Sequence, residues 1–563
     1  LRRAAGAYQP GTYGRPLATI SFAVDYHFGG KDPWQFKLTS VLVHLVNTLL
    51  VFWLLLRLLS QRNVGSKWPP IAAATIALVW AIHPLQVSSV LYVVQRMETL
   101  SLTFVLLALI AYLHGRTLQR DGSRGWPWLA ASMALAGIGM LSKETAVLFP
   151  VYALALELTV LQFEAKSPRT SRLLKAGYVA GLVCATVVFI VWVLPDYTAP
   201  NAFRGRDFNL YERLLTQLRV LPMYIGQTLL PLPSTLTFYY DTFPKSTGWL
   251  SPATTLLGGV FLLALLSLAW FARRRFPLAA LGIFWFFGAH LLTSNVFNLE
   301  LVFEHRNYFA LLGVLLVLAD AIRRIPVRDG AALKYTAIGA LVLGFGMLAL
   351  LRTATWGNNL HLAMDLVAKA PTSPRAANDL ATLYVDLSGS DPDSRFFALA
   401  AREFERAGRL PNASPLPEQG LILMAATTGQ PAQSQWWDRL IHKVQTRPIG
   451  PQELMAVTGL MTQRYRGLDL DDARLSEAYA ALLKRRPNAE MHVQFGDYAL
   501  RYLHNETLAD QQFVAAADAA ARTDPGYAVQ LVGALMSDGR TRQAKLVLAR
   551  INESASSAAS TTH

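Results

Sequence analysis

Long uncharged apolar runs constrain this chain more than any other feature, and they occur only in the residues up to about Arg352. The hydrocarbon core of a bilayer is about 30 Å thick, so a helix needs about 20 apolar residues to cross it. The sequence therefore predicts an all-α, polytopic membrane domain over residues 1–352. The predicted spans are Leu38–Leu59, Pro70–Ile82, Leu100–Leu113, Trp126–Leu141, Ala146–Leu161, Ala176–Leu194, Ser251–Phe271, Pro277–Leu292, Tyr308–Ile322 and Lys334–Leu351.

Basic residues are concentrated in every second connection between these spans. The basic connections are Gln61–Lys67, Gly115–Gly125, Glu164–Lys175, Arg273–Arg275 and Arg323–Lys334. Because cytoplasmic loops are enriched in Lys and Arg, we expect these five connections on the cytoplasmic side. The other connections and the tail from Thr353 onward then lie outside, in the periplasm of a bacterial inner-membrane protein. This distribution also accounts for the net charge of +15 without a nucleic-acid partner.

The alternation holds only if one further apolar stretch, Leu214–Leu232, does not cross the membrane. Arg219 and Pro222 interrupt it, which favours a re-entrant or interfacial helix. At the start of the chain, Leu1–Gly14 is predicted to be an extramembrane loop, and we expect a further transmembrane helix upstream of it. The single cysteine, Cys184, excludes an intramolecular disulfide.

The tail, residues 353–553, has the pattern of a helical array. Its prolines recur at a spacing typical of helical-hairpin repeats, at Pro411, Pro448, Pro487 and Pro525. Each proline follows a helix-like stretch: Ala400–Leu410, Trp436–Thr446, Leu475–Arg486 and Phe513–Thr523. The pattern favours a domain similar to tetratricopeptide repeats, with a plain helical bundle as the alternative. Residues 554–563 are small and polar and are predicted to be disordered.

Ionisable residues in the outside connections are the candidate site residues, because charges at membrane depth are costly and usually functional. In the first connection, Arg15 precedes and Asp25 lies within the stretch Leu17–Phe28, which has helical spacing. The alternative is an amphipathic helix at the membrane interface with solvated charges. In the second, Gln95, Glu98 and His83 are expected to face one another, and the guanidinium of Arg96 suits a phosphate.

The third outside connection contains Lys143 and Glu144 in a very short turn, where they are either a helix-capping pair or part of a cavity. The densest cluster is Glu304, His305, Arg306 and Tyr308, at the start of a span. Between these two connections, the long loop Pro195–Pro252 contains aromatic residues that suit a sugar or an interfacial belt.

No Walker loop, HExxH zinc motif or nucleophile elbow occurs in the sequence. The missing Walker loop argues against an ATP-driven transporter. Charges gathered on one side, rather than in mid-span, argue against an ion-coupled transporter. No metal ligand is predicted, no cofactor is assigned, and a divalent-metal requirement stays open.

Taken in order, several motifs resemble those of the tetratricopeptide-containing transmembrane O-mannosyltransferase-like proteins and their bacterial relatives. They are Gly14-Arg15-Pro16-Leu17, Lys31-Asp32-Pro33-Trp34-Gln35-Phe36 with His44 and Asn47, His83-Pro84-Leu85-Gln86, Gln95-Arg96-Met97, Leu141-Ser142-Lys143-Glu144 and Glu304-His305-Arg306-Asn307-Tyr308. The resemblance implies a GT-C fold and a glycosyltransferase that uses polyprenyl-phosphate sugars on the outer face.

Two departures limit what the resemblance implies. Eukaryotic members have His and Glu where this chain has Gln86 and Ser88, so mannose specificity does not carry over. The catalytic acid of the GT-C fold normally follows the first transmembrane helix, which is expected upstream of Leu1.

Together with the charges in the outside connections, the resemblance implies inverting transfer of a sugar from a polyprenyl-phosphate donor to a hydroxyl of a periplasmic protein or glycan. The resemblance implies that the general base is the acid expected upstream of Leu1, with Asp25 as the second candidate. Within the chain, the predicted catalytic carboxylates are Asp25, Glu98 and Glu304. The predicted residues for lipid phosphate or sugar are Arg15, Arg96, Lys143, Glu144, His305, Arg306 and Tyr308. The alternatives are a lipid-linked glycan polymerase or ligase, and a non-enzymatic scaffold whose tail binds a protein partner.

Overall fold

A computed structural model describes residues 14–61, 68–325, 331–523 and 525–560. It divides into two compact units: residues up to Phe203 with Phe208–Ala370, and Arg204–Asp207 with Pro371 onward. Within the described residues neither unit contains a β-strand. The prediction of an all-α, polytopic helical protein is confirmed.

Fifteen helices form the first unit within its described residues. They are α1 Pro16–Gly29, α2 Pro33–Ser60, α3 Trp68–Ala81, α4 Pro84–Leu91, α5 Arg96–Asp121, α6 Trp126–Met140, α7 Phe149–Leu156, α8 Pro168–Val188, α9 Leu194–Thr198, α10 Leu210–Leu229, α11 Thr254–Ala272, α12 Pro277–His290, α13 Asn307–Arg324, α14 Ala331–Trp356 and α15 Asn359–Lys369. Many begin at a proline, whose fixed φ suits a first helical turn.

Seven helical segments in the described residues are long and apolar enough to cross a membrane. They are Pro33–Ser60, Val93–Asp121, Glu144–Leu161, Pro168–Thr198, Thr254–Ala272, Glu304–Arg324 and Lys334–Trp356. The predicted span Pro70–Ile82 belongs to a pair, α3 and α4, that is bent by 60° at His83. The two remaining predicted spans are the shorter apolar helices α6 and α12. Each of the ten predicted spans thus corresponds to a helix.

The stretch predicted to be re-entrant or interfacial forms α10, which is not among the segments apolar enough to span a membrane. Its buried face combines apolar side chains with polar ones, among them Arg213, Gln217 and Tyr224. Arg213 donates to the carbonyls of Asn295 and Thr293 at 2.9 and 2.6 Å. The helix therefore supports the segment that contains Thr293 and Asn295 through hydrogen bonds from a buried arginine.

Two helices of the first unit pack closely where each has a glycine. Helices α12 and α13 approach each other at Gly282 and Gly313, where a Cβ on either residue would collide with the carbonyl oxygen of the other. This contact brings the start of α13, which contains Tyr308, against the bundle.

A buried ion pair joins α5 to the π-helical turn Glu157–Leu161. Arg116 Nε donates to Glu157 Oε1 at 2.5 Å, and the Tyr112 hydroxyl donates to the same oxygen at 2.8 Å. The backbone N–H of Phe163 donates to Glu157 Oε2 at 3.0 Å. Both charged side chains are 0% exposed, so each charge is balanced only by protein groups.

Ten helices form the second unit within its described residues. They are α16 Pro374–Ser388, α17 Arg395–Arg409, α18 Leu416–Thr427, α19 Ser434–Thr446, α20 Pro451–Tyr465, α21 Asp472–Arg485, α22 Ala489–Arg501, α23 Glu506–Thr523, α24 Pro525–Ser537 and α25 Thr541–Ser560. Neighbouring helices pack in pairs, as α16 does with α17 and α22 with α23. The predicted repeat helices α17, α19, α21 and α23 each end just before one of the four spaced prolines.

Two sequence-based boundaries differ from the structure. The first compact unit extends past the predicted boundary at Arg352 to Ala370, because α15 packs against the end of α14. The residues from Ser554 were predicted to be disordered, but α25 continues to Ser560. Alanine is frequent there and favours helix over coil. Residues 561–563, most of the predicted loop Leu1–Gly14, and parts of two basic connections (62–67 and 326–330) lie outside the described residues.

Replacing Glu157 tests the buried ion pair. We expect Glu157→Gln to lower the free energy of unfolding by about 3 kcal/mol, because it leaves the charge of Arg116 buried without a counter-charge. Thermal unfolding in detergent micelles measures the change. The matched control is Glu164→Gln, since Glu164 is 59% exposed in its pair with Arg120. The control should lose less than about 1 kcal/mol, and equal losses in both variants would contradict the assignment.

Candidate active site

Asp25 and Arg96 form a buried ion pair between α1 and α5, with Oδ2 and Nη1 2.5 Å apart. The Thr39 hydroxyl donates to Asp25 Oδ1 at 2.7 Å. Arg96 also donates to the Ser40 hydroxyl at 3.2 Å and to the Phe36 carbonyl at 2.5 Å. The two charged side chains are 3% and 0% exposed. The alternative of a solvated charge at Asp25 is therefore wrong, because α1 packs this carboxylate inward.

Lys143 and Glu98 form a second ion pair, with Nζ and Oε2 2.8 Å apart. Lys143 Nζ also donates to Gln95 Oε1 at 3.4 Å, and the Thr145 hydroxyl donates to Glu98 Oε2 at 3.4 Å. The lysine side chain is 12% exposed and the glutamate side chain 15% exposed. The side chains of this pair thus have well-defined positions and remain partly exposed.

His83 does not join that group, contrary to the prediction that it faces Gln95 and Glu98. Its ring is buried, with Nε2 2.9 Å from the Thr228 carbonyl. Nδ1 accepts the backbone N–H of Leu85 at 3.2 Å and so caps α4. The bend between α3 and α4 turns the imidazole toward these backbone groups.

Arg15 and Glu144 form a more open pair, with Nη2 and Oε1 2.8 Å apart. The side chains are 28% and 53% exposed. The alternative in which Lys143 and Glu144 cap a helix is wrong. Lys143 precedes the 3₁₀ turn Glu144–Leu148 but makes no side-chain capping bond, and both charges pair with other segments.

Glu304 is buried and bound by three donors. Arg352 Nη2 lies 2.6 Å from its Oε2. The backbone N–H of Phe238 and the hydroxyl of Tyr240 donate to Oε1 at 3.3 and 3.2 Å. Burial, and next the charge of Glu304, raise the pKa of Tyr240 well above its usual value, so its hydroxyl remains a donor.

Arg306, His305 and Tyr308 follow Glu304 but have different surroundings. Arg306 donates to the carbonyls of Leu301 and Glu300 at 3.1 and 2.6 Å. The Tyr308 hydroxyl is buried at 2.8 Å from His44 Nδ1. His305 is half-buried, lies within electrostatic range of Lys143 and Arg306, and makes no hydrogen bond among the described residues.

The predicted site residues therefore fall into two sets. The enclosed residues are Asp25, Arg96, Glu304, Arg306 and Tyr308. The accessible residues are Arg15, Glu98, Lys143, Glu144 and His305. In the part of the chain that the structure describes, no group of three or more His, Cys, Asp or Glu side chains comes together as it would around a metal ion.

Two residues that form buried ion pairs are not predicted from the sequence. The sequence indicates Arg352 only as the end of the membrane domain, whereas the structure shows it as the ion-pair partner of Glu304. The pattern assigns no role to Glu157 inside the apolar run Ala146–Leu161, whereas the structure pairs it with Arg116. A charged residue within or at the end of a predicted span was the available signal for both.

Comparison with known proteins identifies relatives of the part of the chain that contains the accessible pair. Residues 17–193 match the family model described as dolichyl-phosphate-mannose-protein mannosyltransferase. The protein O-mannosyl-transferase Tmtc2 of Drosophila melanogaster is 31% identical over 241 residues, which cover 41% of this chain. Human protein O-mannosyl-transferase TMTC2 is 32% identical over 133 residues, or 24% of this chain. The chain is a relative of this family.

The relationship covers only part of each protein. The chain spans 24% of the length of the fly Tmtc2 and 15% of the length of human TMTC2. Human TMTC4 is 30% identical over 141 residues, which cover 19% of its length. No solved structure matches the chain. The segment shared with the family model includes Glu98, Lys143 and Glu144 but ends well before Glu304.

A double-mutant cycle tests whether the pair of Asp25 and Arg96 holds α1 in place. With Asp25→Asn and Arg96→Met, we expect a coupling free energy of about 3 kcal/mol in unfolding, because both charges are enclosed by protein. The same cycle on the exposed pair, Arg15→Met and Glu144→Gln, should give less than about 1 kcal/mol. Unfolding in mixed micelles measures both cycles, and similar couplings would show that burial does not distinguish the pairs.

Proposed function

We propose that this protein is a membrane glycosyltransferase that moves a sugar from a polyprenyl-phosphate donor to a hydroxyl of a protein or glycan acceptor at the periplasmic face. One observation carries the proposal. The partly accessible ion pair of Lys143 and Glu98 lies inside the segment related to protein mannosyltransferases. A cation and a carboxylate in contact supply the two charges that glycosyl transfer from a phosphate requires.

Lys143 binds the donor phosphate and stabilises the charge that stays on it when its bond to the sugar breaks. Glu98 accepts the proton of the acceptor hydroxyl as that oxygen bonds to the sugar carbon with inversion. The arriving phosphate competes with Glu98 for Lys143, which releases the carboxylate for proton transfer. Glu98 is favoured over Asp25 and Glu304 because those two are enclosed by their own partners.

His305 is the third member of the proposed site. It lies within electrostatic range of Lys143 and has no hydrogen-bond partner of its own among the described residues. Its ring is therefore available to the phosphate or to a sugar hydroxyl. Arg15 and Glu144, which are more exposed, lie where the acceptor or the outer part of the donor would bind.

The enclosed residues have a supporting role in this proposal. Arg96 and Arg306 already donate to carbonyl oxygens of the protein, and Arg96 also pairs with Asp25. Tyr308 is hydrogen-bonded within the bundle. These side chains position the segments that bear Lys143, Glu98 and His305.

Substitution of the accessible pair tests the proposal. We expect Lys143→Met and Glu98→Gln each to lower transfer at least about 100-fold, because each removes a charge needed in the transition state. The assay follows radiolabelled sugar from a panel of polyprenyl-phosphate monosaccharides into membrane or periplasmic protein and glycan. Neither variant should change the amount of protein in the membrane.

The exposed pair of Arg120 and Glu164 provides the matched control. Arg120→Met and Glu164→Gln remove the same kinds of charge from two basic connections outside the site and should leave transfer unchanged. Transfer at the parent rate by Lys143→Met and Glu98→Gln would exclude the proposed site. Failure of the parent protein with every monosaccharide donor, or transfer only from oligosaccharide donors, would exclude the proposed reaction.

The proposed orientation has a separate test that uses the single cysteine. In a Cys184→Ala background, cysteine replaces Lys31, Ser123 or Asp469, which are all exposed. We expect a membrane-impermeant maleimide to label Lys31→Cys and Asp469→Cys on intact spheroplasts, and to label Ser123→Cys only after lysis. Labelling of Ser123→Cys before lysis, or failure of the maleimide to label Asp469→Cys on intact spheroplasts, would contradict the proposed periplasmic position of the tail.

A further inference from the structure

Helices α17, α18 and α19 border a groove of about 790 Å³ in the second unit. Its floor is apolar and consists of Phe397, Leu421, Met424 and the ring of Trp436. Leu421 and Met424 belong to a small buried core, whereas Phe397 and Trp436 pack on that core and stay half-buried. The groove thus opens onto an apolar cluster that the tail helices leave partly uncovered.

The charged residues that line the groove are three arginines and one glutamate: Arg402, Arg406, Arg409 and Glu405. The glutamate is already satisfied, because Trp436 Nε1 donates to it at 2.5 Å and Arg439 lies 3.1 Å away. Arg406 is also occupied, by Glu403 and by the carbonyl of Pro371. The charge left for a ligand is therefore positive.

Two guanidinium groups remain available. Arg402 is exposed and has no partner among the described residues. Arg409 is 70% exposed and touches Glu405 through a single nitrogen at 3.3 Å. The two residues lie two turns apart on one side of α17, a separation of about 10 Å along the helix axis.

An extended peptide matches this arrangement. Residues i, i+2 and i+4 of a strand project from one face, and i and i+4 lie about 13 Å apart. The arginine side chains are long enough to make up the difference between the spacing of the two arginines along the helix and the spacing of residues i and i+4 along the peptide. Carboxylates at i and i+4 would then meet Arg402 and Arg409, while the side chain at i+2 enters the apolar floor.

We infer that this groove binds an extended segment of a partner protein with the pattern acidic–x–apolar–x–acidic. The apolar side chain packs between Phe397, Met424 and Trp436, and the two carboxylates pair with Arg402 and Arg409. The inference does not rest on the proposed transferase activity, because the residues, the ligand and the readout are all different.

Binding of a defined peptide to the full chain in nanodiscs tests the inference. The probe is a capped, fluorescently labelled Glu-Ser-Phe-Ser-Glu peptide, and fluorescence anisotropy measures its affinity without any sugar donor. We expect saturable binding that weakens as salt is added, because exposed charges are screened. Affinity should fall about threefold in Arg402→Gln or Arg409→Gln and about tenfold in the double variant.

Three controls distinguish binding in the groove from nonspecific binding. A Glu-Phe-Ser-Ser-Glu peptide has the same composition but turns the apolar side chain to the opposite face, so it should bind at least about tenfold more weakly. A Lys-Ser-Phe-Ser-Lys peptide should not bind measurably. Arg466→Gln removes an exposed arginine outside the groove and should leave affinity unchanged.

Each contrary result overturns the inference. Equal affinity of the two glutamate peptides would show that the groove does not select the pattern, and binding of the lysine peptide would show that its charge is irrelevant. Parent affinity in the double variant would place the peptide elsewhere. Absence of binding at millimolar peptide would mean that the groove is not a peptide site.

Discussion

An arginine inside an apolar helix bundle keeps its charge, so the bundle is stable only where an acceptor meets that charge. The first unit buries three arginines that each lie against a carboxylate on another segment: Arg96 with Asp25, Arg116 with Glu157, and Arg352 with Glu304. Removing one partner leaves the other as an uncompensated charge in a medium of low dielectric constant. These ion pairs therefore determine which helices are neighbours. By positioning the helices, they also determine where the accessible side chains of the candidate site lie.

The helices of both units could be predicted because their signals are local. A long apolar run defines each predicted span, and a proline at the start or just beyond the end marks many of the helices, without reference to the rest of the chain. Where prediction differed, a non-local or weak signal was responsible. The bend at His83 depends on the partners that its ring finds at Thr228 and Leu85. The helix continues to Ser560 although the polarity of the segment suggested disorder.

The candidate site could be predicted as a set of residue types but not as a set of contacts. Lys143 and Glu144 are neighbours in sequence, yet they pair with Glu98 and Arg15 from different segments. Arg96 and Glu98 lie on one turn but differ in access, because only Arg96 faces the packed side of α5. Helix rotation and packing decide these outcomes, and one sequence does not specify them. A charged residue in or near a predicted span indicates that the residue is important for structure or function. Packing then determines whether its side chain supports the fold or is accessible to a substrate.

The last span shows how a supporting charge can matter more than its distance from the accessible pair suggests. Little of α14 is buried, and the side chains described as buried, Phe345, Arg352 and Trp356, lie in the half that precedes α15. There Phe345 packs on His83 with ring centroids 4.9 Å apart, and Trp356 packs on Phe238 at 5.2 Å. Arg352 pairs with Glu304, which also accepts from the backbone of Phe238. The Glu304 carboxylate thus connects α14 and the loop that contains Phe238 to the segment that includes His305. Neutralising Glu304 would loosen all three together, so a loss of activity in such a variant is not by itself evidence that Glu304 touches the substrate.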